Sequence, residues 1–190
     1  MHARADKQAP EVASVLDLTN TRKILDVGGG SGAFSFAMIR NNPEIHATIF
    51  DLQNIIPLTL KYIEASWLSG QVDTVVGDYL ADSLGIGYDL VFMSAIIHIN
   101  SAEENLLLIR NGADALYPGG QLIILDHIMN DDRTEPLVGT IFALNMLVGT
   151  FHGDTYTRRE IESWMEQSGL SKIRHQTTPS GIQMLTGIKK

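Results

Sequence analysis

A glycine-rich turn near the start of the chain has the composition of a cofactor-binding loop. Residues 28–32, GGGSG, follow a short apolar run and lead into a predicted helix that begins near Phe34. Glycine lets the backbone approach a ligand closely, and the N–H groups at the start of the helix can donate hydrogen bonds to it. Four glycines in five positions exceed what a tight turn alone requires.

The glycine spacing fits two classes of cofactor. Gly28, Gly30 and Ala33 match the G-x-G-x-x-G/A pattern of dinucleotide-binding enzymes. Gly28, Gly30 and Gly32 match the G-x-G-x-G loop of S-adenosylmethionine enzymes. Asp26 favours the second class, because a carboxylate at this position can face the ammonium group of a methionine moiety, whereas it would repel a pyrophosphate.

Acidic residues also close the next two predicted strands. Asp51 lies 25 residues after Asp26, at a position that suits the diol of a ribose. In Gly77-Asp78-Tyr79, the carboxylate can accept a hydrogen bond from an adenine amino group, and the tyrosine can cover the ring. The alternative for Asp78 is a turn or helix-capping residue.

His98 is the candidate general base, because it follows the fourth predicted strand at the carboxyl edge, where such sheets bind their ligands. A histidine can take a proton from a hydroxyl group near neutral pH. Asp126 ends the fifth strand and can orient that imidazole. The alternatives are a buried core histidine and a loop-capping aspartate. We expect His127 to point away from the site, since neighbouring strand residues face opposite sides.

The elements that must position these residues follow an alternating pattern. Short runs rich in Ile, Val and Leu alternate with amphipathic stretches, which predicts a parallel sheet covered by helices on both faces. These runs are Lys23–Val27, Ile45–Phe50, Val72–Val76, Asp89–Met93 and Gln121–Leu125.

Two helix starts and a closing hairpin complete the predicted elements. The capping-box patterns Ser101-x-x-Glu104 and Thr157-x-x-Glu160 each predict a helix start. Ile173–Thr177 and Gln183–Ile188 are separated by a short turn that contains proline and glycine, so they predict an antiparallel hairpin.

Composition excludes several kinds of function. With 14 Lys and Arg against 22 Asp and Glu, the chain has a net charge of −8, which disfavours nucleic acid and anionic membranes as partners. It has no cysteine, which excludes disulfides, thiolate metal sites and cysteine nucleophiles. The polar first residues lack the apolar core of a signal peptide, and we expect a cytoplasmic protein.

The ordered motifs resemble the catalytic domain of class I S-adenosylmethionine-dependent O-methyltransferases, in the branch of the plant caffeate and bacterial hydroxyindole-type small-molecule enzymes. The resemblance spans about Val12 to Ile188 and rests on DVGGGSG (26–32), FDL (50–52), GDY (77–79), the segment 88–98, and LYPGG (116–120) leading into Asp126. It implies an α/β fold of the Rossmann-like methyltransferase type, with a mostly parallel seven-stranded sheet, a C-terminal antiparallel hairpin and helices on both faces.

The resemblance also implies the cofactor and the roles of individual residues. S-adenosyl-L-methionine is the implied cofactor, with a small-molecule hydroxyl, phenolic or otherwise aromatic, as the methyl acceptor. The implied cofactor-binding residues are Asp26, Gly28, Gly30, Gly32, Asp51, Leu52, Asp78, Tyr79 and Ser94. His98 takes the place of the family's base and Asp126 that of its acidic partner. The segment 136–150 resembles the substrate-pocket helix, so Asn145 and Met146 are candidate acceptor contacts, although a plain core helix fits equally well.

The chain departs from the family pattern at two places beside the base. The family has a His-Asp-Trp signature, whereas His98 is followed by Ile99 and Asn100. The family's second flanking glutamate falls near Thr155. These departures leave a second function open, a cofactor-binding domain without turnover that serves as a binding or assembly module.

The remaining expectations concern metals, other enzymes and organisation. No metal site is predicted, since Asp131 and Asp132 fit a solvated loop. No tyrosine has a lysine four residues later, which disfavours a short-chain dehydrogenase. We expect a helical arm over residues 1–22 and a methyltransferase domain over residues 23–190. Because relatives usually dimerise through an N-terminal domain, we expect a homodimer.

Overall fold

The computed structural model describes residues 2–190 and contains one sheet with helices on both faces. The strands are β1 Lys23–Val27, β2 His46–Asp51, β3 Val72–Val76, β4 Tyr88–Ser94, β5 Leu116–Leu125, β6 Leu170–Thr177 and β7 Gln183–Lys189. The helices are α1 His2–Val15, α2 Ala33–Asn41, α3 Ile56–Ser66, α4 Ala102–Ala115, α5 Leu137–Gly149 and α6 Arg158–Gln167. A single 3₁₀ turn, Ile97–Ile99, lies between β4 and α4.

The strand order, β3-β2-β1-β4-β5-β7-β6, confirms the predicted methyltransferase-type sheet. The first five strands are parallel, and β7 runs antiparallel to both β5 and β6, which confirms the closing hairpin. The order reverses between β1 and β4, so the crevice where such folds bind ligands opens at the carboxyl ends of these two strands.

Two strand starts were predicted too late. β5 begins at Leu116, which pairs with Tyr88, so residues 117–120 form an irregular start of this strand. β6 begins at Leu170, with a shift of register between Ser171 and Arg174. Glycine and proline in the first case, and alternating polar residues in the second, make the strand start hard to recognise from the sequence. Pairing with neighbouring strands forms these starts in the folded chain.

Helices bury both faces of the sheet, which explains why the strands are almost continuously apolar. Leu25 and Val27 pack with residues of α4 and α6, and Ile24 packs with residues of α1, α2 and α3. Val12 of α1 is fully buried in the second cluster, so the predicted N-terminal arm contributes to the core. The domain boundary at residue 22 stays a prediction. Within residues 2–190, no helix is both long enough and apolar enough to span a bilayer.

Both predicted capping boxes are present. The Ser101 hydroxyl accepts a hydrogen bond from the Glu104 backbone N–H (3.2 Å), and the Glu104 carboxylate accepts one from the Ser101 N–H (2.7 Å). Thr157 and Glu160 make the same pair of bonds. The first box fixes the start of α4 directly after the turn that carries His98.

Removal of the first cap should destabilise the fold. We expect Ser101→Ala to lower the free energy of unfolding by about 1 kcal/mol, because the first turn of α4 loses its side-chain acceptor. Ser163→Ala, on the exposed face of α6, is the matched control and should change it by less than about 0.5 kcal/mol. Urea denaturation followed by circular dichroism measures both, and equal effects would contradict the capping role.

Candidate active site

The glycine loop between β1 and α2 adopts a backbone that side chains would obstruct. Gly28, Gly30 and Gly32 have φ angles of +66°, +55° and +76°, a region that favours glycine. A Cβ on Gly28 would lie 2.7 Å from a methyl carbon of Ile96, and one on Gly32 would lie 2.6 Å from Ile49. Gly32 is also the N-cap of α2 and offers no side-chain acceptor, so bare backbone faces the carboxyl edge.

Asp51 ties this loop to the end of β2. Its Oδ2 accepts a hydrogen bond from the Gly30 N–H (2.8 Å), and its Oδ1 accepts one from the Leu52 N–H (2.8 Å). The Thr59 hydroxyl donates to the Gly30 carbonyl (2.6 Å), which holds the loop from the side of α3. Asp51 and Leu52 therefore lie at the mouth of the loop, where a ribose was predicted to bind.

Asp26 lies beneath the loop, with 1% of its surface exposed. The Ser35 hydroxyl donates to its Oδ2 (2.7 Å), and a Cβ on Gly29 would lie within 3.0 Å of its carboxylate oxygens. Burial, with a smaller contribution from the nearby charge of Asp51, raises the pKa of Asp26 to about 7, and the Ser35 hydrogen bond opposes this shift. The predicted contact with a ligand ammonium group stays a prediction.

The end of β3 places Asp78 and Tyr79 differently. Asp78 is exposed, and its carboxylate accepts a hydrogen bond from the Leu80 N–H (2.9 Å), the turn role considered above. Tyr79 is partly buried, and its hydroxyl donates to the side-chain oxygen of Asn100 (3.0 Å). Burial raises the pKa of Tyr79. Ser94 is the last residue of β4, which pairs with β1, the strand that leads into the glycine loop.

His98 and Asp126 form the central pair of the site. His98 Nδ1 lies 2.8 Å and 3.0 Å from the two carboxylate oxygens of Asp126, and the side chains are 10% and 2% exposed. The carboxylate accepts the Nδ1 hydrogen, which leaves Nε2 of the neutral imidazole with a lone pair. Asp126 Oδ1 also accepts a hydrogen bond from the His127 backbone N–H (2.7 Å), which fixes the carboxylate. The structure brings together the base and partner that the sequence predicts.

The expectation for His127 was wrong. Both histidine rings contact Phe142 of α5, His98 edge-on at 4.8 Å between ring centroids and His127 tilted at 4.4 Å. β5 ends at Leu125, so Asp126 and His127 have left the strand and no longer alternate between its faces. Burial lowers the pKa of His127, while the neighbouring Asp126 opposes the shift.

Phe142 is a site residue that the sequence reasoning missed. It and Met146 are partly buried and lie one helical turn apart, on the same side of α5, whereas Asn145 is exposed. Gly139, one turn earlier, packs on Met129 and His127. The four-residue spacing of Phe142 and Met146 was the available signal, and it favours Met146 over Asn145 as an acceptor contact.

The segment that contains Thr155 packs against the backbone of His98. Thr155 is buried, and a Cβ on Gly153 would lie 2.3 Å from the His98 carbonyl oxygen. Arg133 anchors the segment by donating to the Asp154 carboxylate (2.6 Å) and the Thr155 carbonyl (2.7 Å). The position predicted for a second glutamate thus lies in a segment whose Gly153 packs on the His98 backbone, and it carries a hydroxyl. Within the described part of the chain, no three His, Asp or Glu side chains are grouped so as to hold a metal ion.

Comparison with known proteins connects this geometry to a family. Residues 4–171 match the family model described as O-methyltransferase domain. The chain is 33% identical, over 183 residues, to a 3-hydroxy-5-methyl-1-naphthoate 3-O-methyltransferase of Streptomyces sahachiroi, a match that covers 95% of this chain and 53% of the relative. It is 37% identical, over 130 residues, to an L-tyrosine C(3)-methyltransferase of Streptomyces lavendulae, covering 68% of this chain and 36% of the relative.

A solved structure of a methyltransferase is also similar to this chain. The structure described as PigF with SAH, a methyl transferase of Serratia, matches with a TM-score of 0.88 and 26% identity, covering 96% of this chain and 56% of that one. The chain spans about half the length, or less, of these two curated relatives.

The buried Asp26 should make stability depend on pH. The pKa of Asp26 is about 7 in the folded chain and near 4 in the unfolded chain. Between these two pH values the folded state therefore binds the proton more tightly than the unfolded state does. The free energy of unfolding should therefore decrease as pH rises from about 4 to 7, by at most about 1.4 kcal/mol per pH unit from this group.

Asp26→Asn should remove this decrease of the free energy of unfolding with pH. Asp73→Asn, on the exposed side of β3, should retain it. Urea denaturation at several pH values between these limits gives both slopes. An unchanged slope in Asp26→Asn would contradict the assignment.

Proposed function

The chain belongs to the O-methyltransferase domain family, and from this membership we propose that it transfers a methyl group from S-adenosyl-L-methionine to a hydroxyl group of a small aromatic molecule. The observation that carries the proposal is the buried His98–Asp126 pair, at the same sheet edge as the glycine loop. The His98–Asp126 pair supplies a base for an acceptor hydroxyl, and the glycine loop supplies a binding place for a nucleoside cofactor.

The residues present fit this cofactor. Gly28, Gly30 and Gly32 expose bare backbone, Asp51 lies at the mouth of this loop, and Tyr79 lies in the segment that follows β3. We propose that the backbone at residues 28–32 holds the amino-acid part, Asp51 the ribose and Asp78 with Tyr79 the adenine. When bound, the sulfonium supplies an electrophilic methyl group. A structural relative is described with SAH bound, which supports a cofactor of this class.

His98 performs the proton transfer in this proposal. A phenol has a pKa near 10 and is mostly protonated at neutral pH, so its oxygen is a weak nucleophile. Nε2 of His98 takes the hydroxyl proton, and Asp126 stabilises the resulting imidazolium through Nδ1. Such a base typically accelerates a reaction about 10²- to 10⁴-fold. Removal of the proton leaves the electron pair of the O–H bond on the oxygen that receives the methyl group.

The acceptor is proposed to bind beside Phe142 and Met146. The Phe142 ring contacts both His98 and His127, so this wall is aromatic and adjoins the base. A flat aromatic acceptor can stack there with its hydroxyl toward Nε2 of His98. Oxygen is proposed as the methylated atom, although one relative is named a C-methyltransferase, because the family model and the naphthoate relative both concern O-methyl transfer.

A second candidate function is a cofactor-binding module without turnover. Thr155, near the position at which the resemblance implies a second glutamate, favours it. The two candidates share the cofactor and differ in whether His98 acts on an acceptor.

Replacement of His98 separates these functions. We expect His98→Ala to bind S-adenosylhomocysteine with an affinity within about threefold of the wild type, and to lose methylation at least about 10²-fold. Calorimetry measures the first quantity, and mass spectrometry of a panel of phenols and hydroxynaphthoates incubated with S-adenosylmethionine measures the second. His152→Ala, in an exposed loop, is the matched control and should retain both activities.

Two results would contradict the proposed transfer. A wild-type chain that fails to bind S-adenosylhomocysteine would exclude both candidate functions. Binding without methylation of any acceptor in the panel would favour the binding module.

We also propose a homodimer in which α5 takes part. Gly139 is the one buried residue of this helix, and seven apolar side chains on and beside it expose more than half of their surface. They are Leu137, Val138, Ile141, Leu144, Leu147, Val148 and Phe151. A contiguous exposed apolar surface is typical of a protein contact. The cytoplasmic location remains a prediction from the sequence.

Charge on this surface should weaken the dimer. We expect Leu144→Glu combined with Leu147→Glu to convert a wild-type dimer to a monomer, because each carboxylate would be buried without a partner. Leu60→Glu, equally apolar and half exposed on α3, should leave the mass unchanged. Light scattering coupled to size-exclusion chromatography gives the masses. A monomeric wild type, or an unchanged dimer in the double variant, would contradict the proposed interface.

A further inference from the structure

Two asparagines form a buried amide pair directly behind the base. Asn100 is 4% exposed and Asn105 is fully buried. The Asn100 side-chain amide donates to Oδ1 of Asn105 (3.2 Å), and the Asn105 amide donates to the Ile97 carbonyl (2.9 Å). Ile97 precedes His98 in the 3₁₀ turn, so the pair holds the backbone that carries the imidazole.

The other end of this network reaches the proposed adenine site. The Tyr79 hydroxyl donates to Oδ1 of Asn100 (3.0 Å), and the Tyr156 hydroxyl donates to the Asn100 carbonyl (2.5 Å). Asn100 thus uses its side-chain oxygen, its side-chain nitrogen and its backbone oxygen. Because buried polar groups are costly without a partner, a displacement of Tyr79 requires Asn100 to adjust with it.

The turn itself needs such support. Ala95 leaves β4 with a φ angle of +56°, which is unfavourable for a residue with a Cβ. Its N–H donates to the Leu125 carbonyl (2.9 Å), next to Asp126. Ala95 therefore lies on one side of the turn and the Asn100–Asn105 pair on the other, with His98 between them.

We propose that Asn100 is a positioning residue that couples occupancy of the adenine site at Tyr79 to the placement of His98. It acts through the Tyr79 hydroxyl on one side and through Asn105 and the Ile97 carbonyl on the other. An asparagine can accept and donate at once, whereas the tryptophan that the resembling family has at this position carries one donor and no acceptor. The coupling rests on the proposed function, since it requires a ligand with an adenine at Tyr79.

Hydrogen exchange measured by mass spectrometry tests the coupling without an acceptor. The backbone N–H groups of Ile99 and Asn100 donate within the turn, so their exchange reports its opening. S-adenosylhomocysteine is added to the wild type, Tyr79→Phe, Asn100→Leu and the control Tyr88→Phe, each at about twenty times its own dissociation constant, so that all are saturated. Tyr88 begins β4 at the opposite edge of the sheet.

In the wild type and Tyr88→Phe, we expect the ligand to slow exchange of the turn about fivefold or more. In Tyr79→Phe and Asn100→Leu this effect should fall below about twofold, while the glycine loop at residues 28–32 remains protected in all four proteins. A role confined to packing would leave the ligand-dependent protection intact. Equal protection of the turn in saturated Tyr79→Phe and wild type would overturn the coupling.

The two levels of the proposal fail in different ways. Binding that protects the glycine loop of the wild type but not its turn would overturn the coupling and leave the proposed cofactor in place. Absence of binding to the wild type would contradict the proposed function and the coupling with it. Should Asn100→Leu not fold, Tyr79→Phe decides the question, because it removes one hydroxyl and keeps the ring.

Discussion

The parallel pairing of β4 with β5 is the constraint on which the site depends. Ser94 pairs with Leu125, so the segments that follow the two strands leave the sheet side by side. This register brings His98 and Asp126, 28 residues apart in the chain, within hydrogen-bond distance. A one-residue shift would turn every side chain of a strand to the other face and break the pair. The chemistry proposed for the imidazole is therefore a consequence of sheet register.

The cofactor side of the site depends on close backbone approach. The loop at residues 28–32 can pass close to Ile96 and Ile49 only because Gly28 and Gly32 have no side chains. Asp51 and Thr59 then fix its path. Asp26 remains buried beneath it, as a carboxyl group with a pKa of about 7. A buried ionisable group of this kind reduces stability at neutral pH, and such groups occur mainly at functional sites.

Departures from the resembling family are concentrated around the base. Thr155 lies near the position at which the resemblance implies a second glutamate. Asn100, where the resemblance implies a tryptophan, has side-chain and carbonyl groups that are all hydrogen-bonded. His98 is bonded to one carboxylate, and the turn that carries it is held by a hydrogen-bond network that extends to Tyr79.

Much of the fold and half of the site follow from local sequence patterns. Apolar runs predict the strands, because burial of both faces leaves few polar positions. Glycine spacing predicts the loop, and residues that follow strands predict His98 and Asp126, since parallel strands end at one edge. The contacts of Phe142, His127 and Asn100 depend on where β5 ends and on how α5 and α4 pack, and short-range sequence patterns do not encode these distances. Only the tertiary structure decided them.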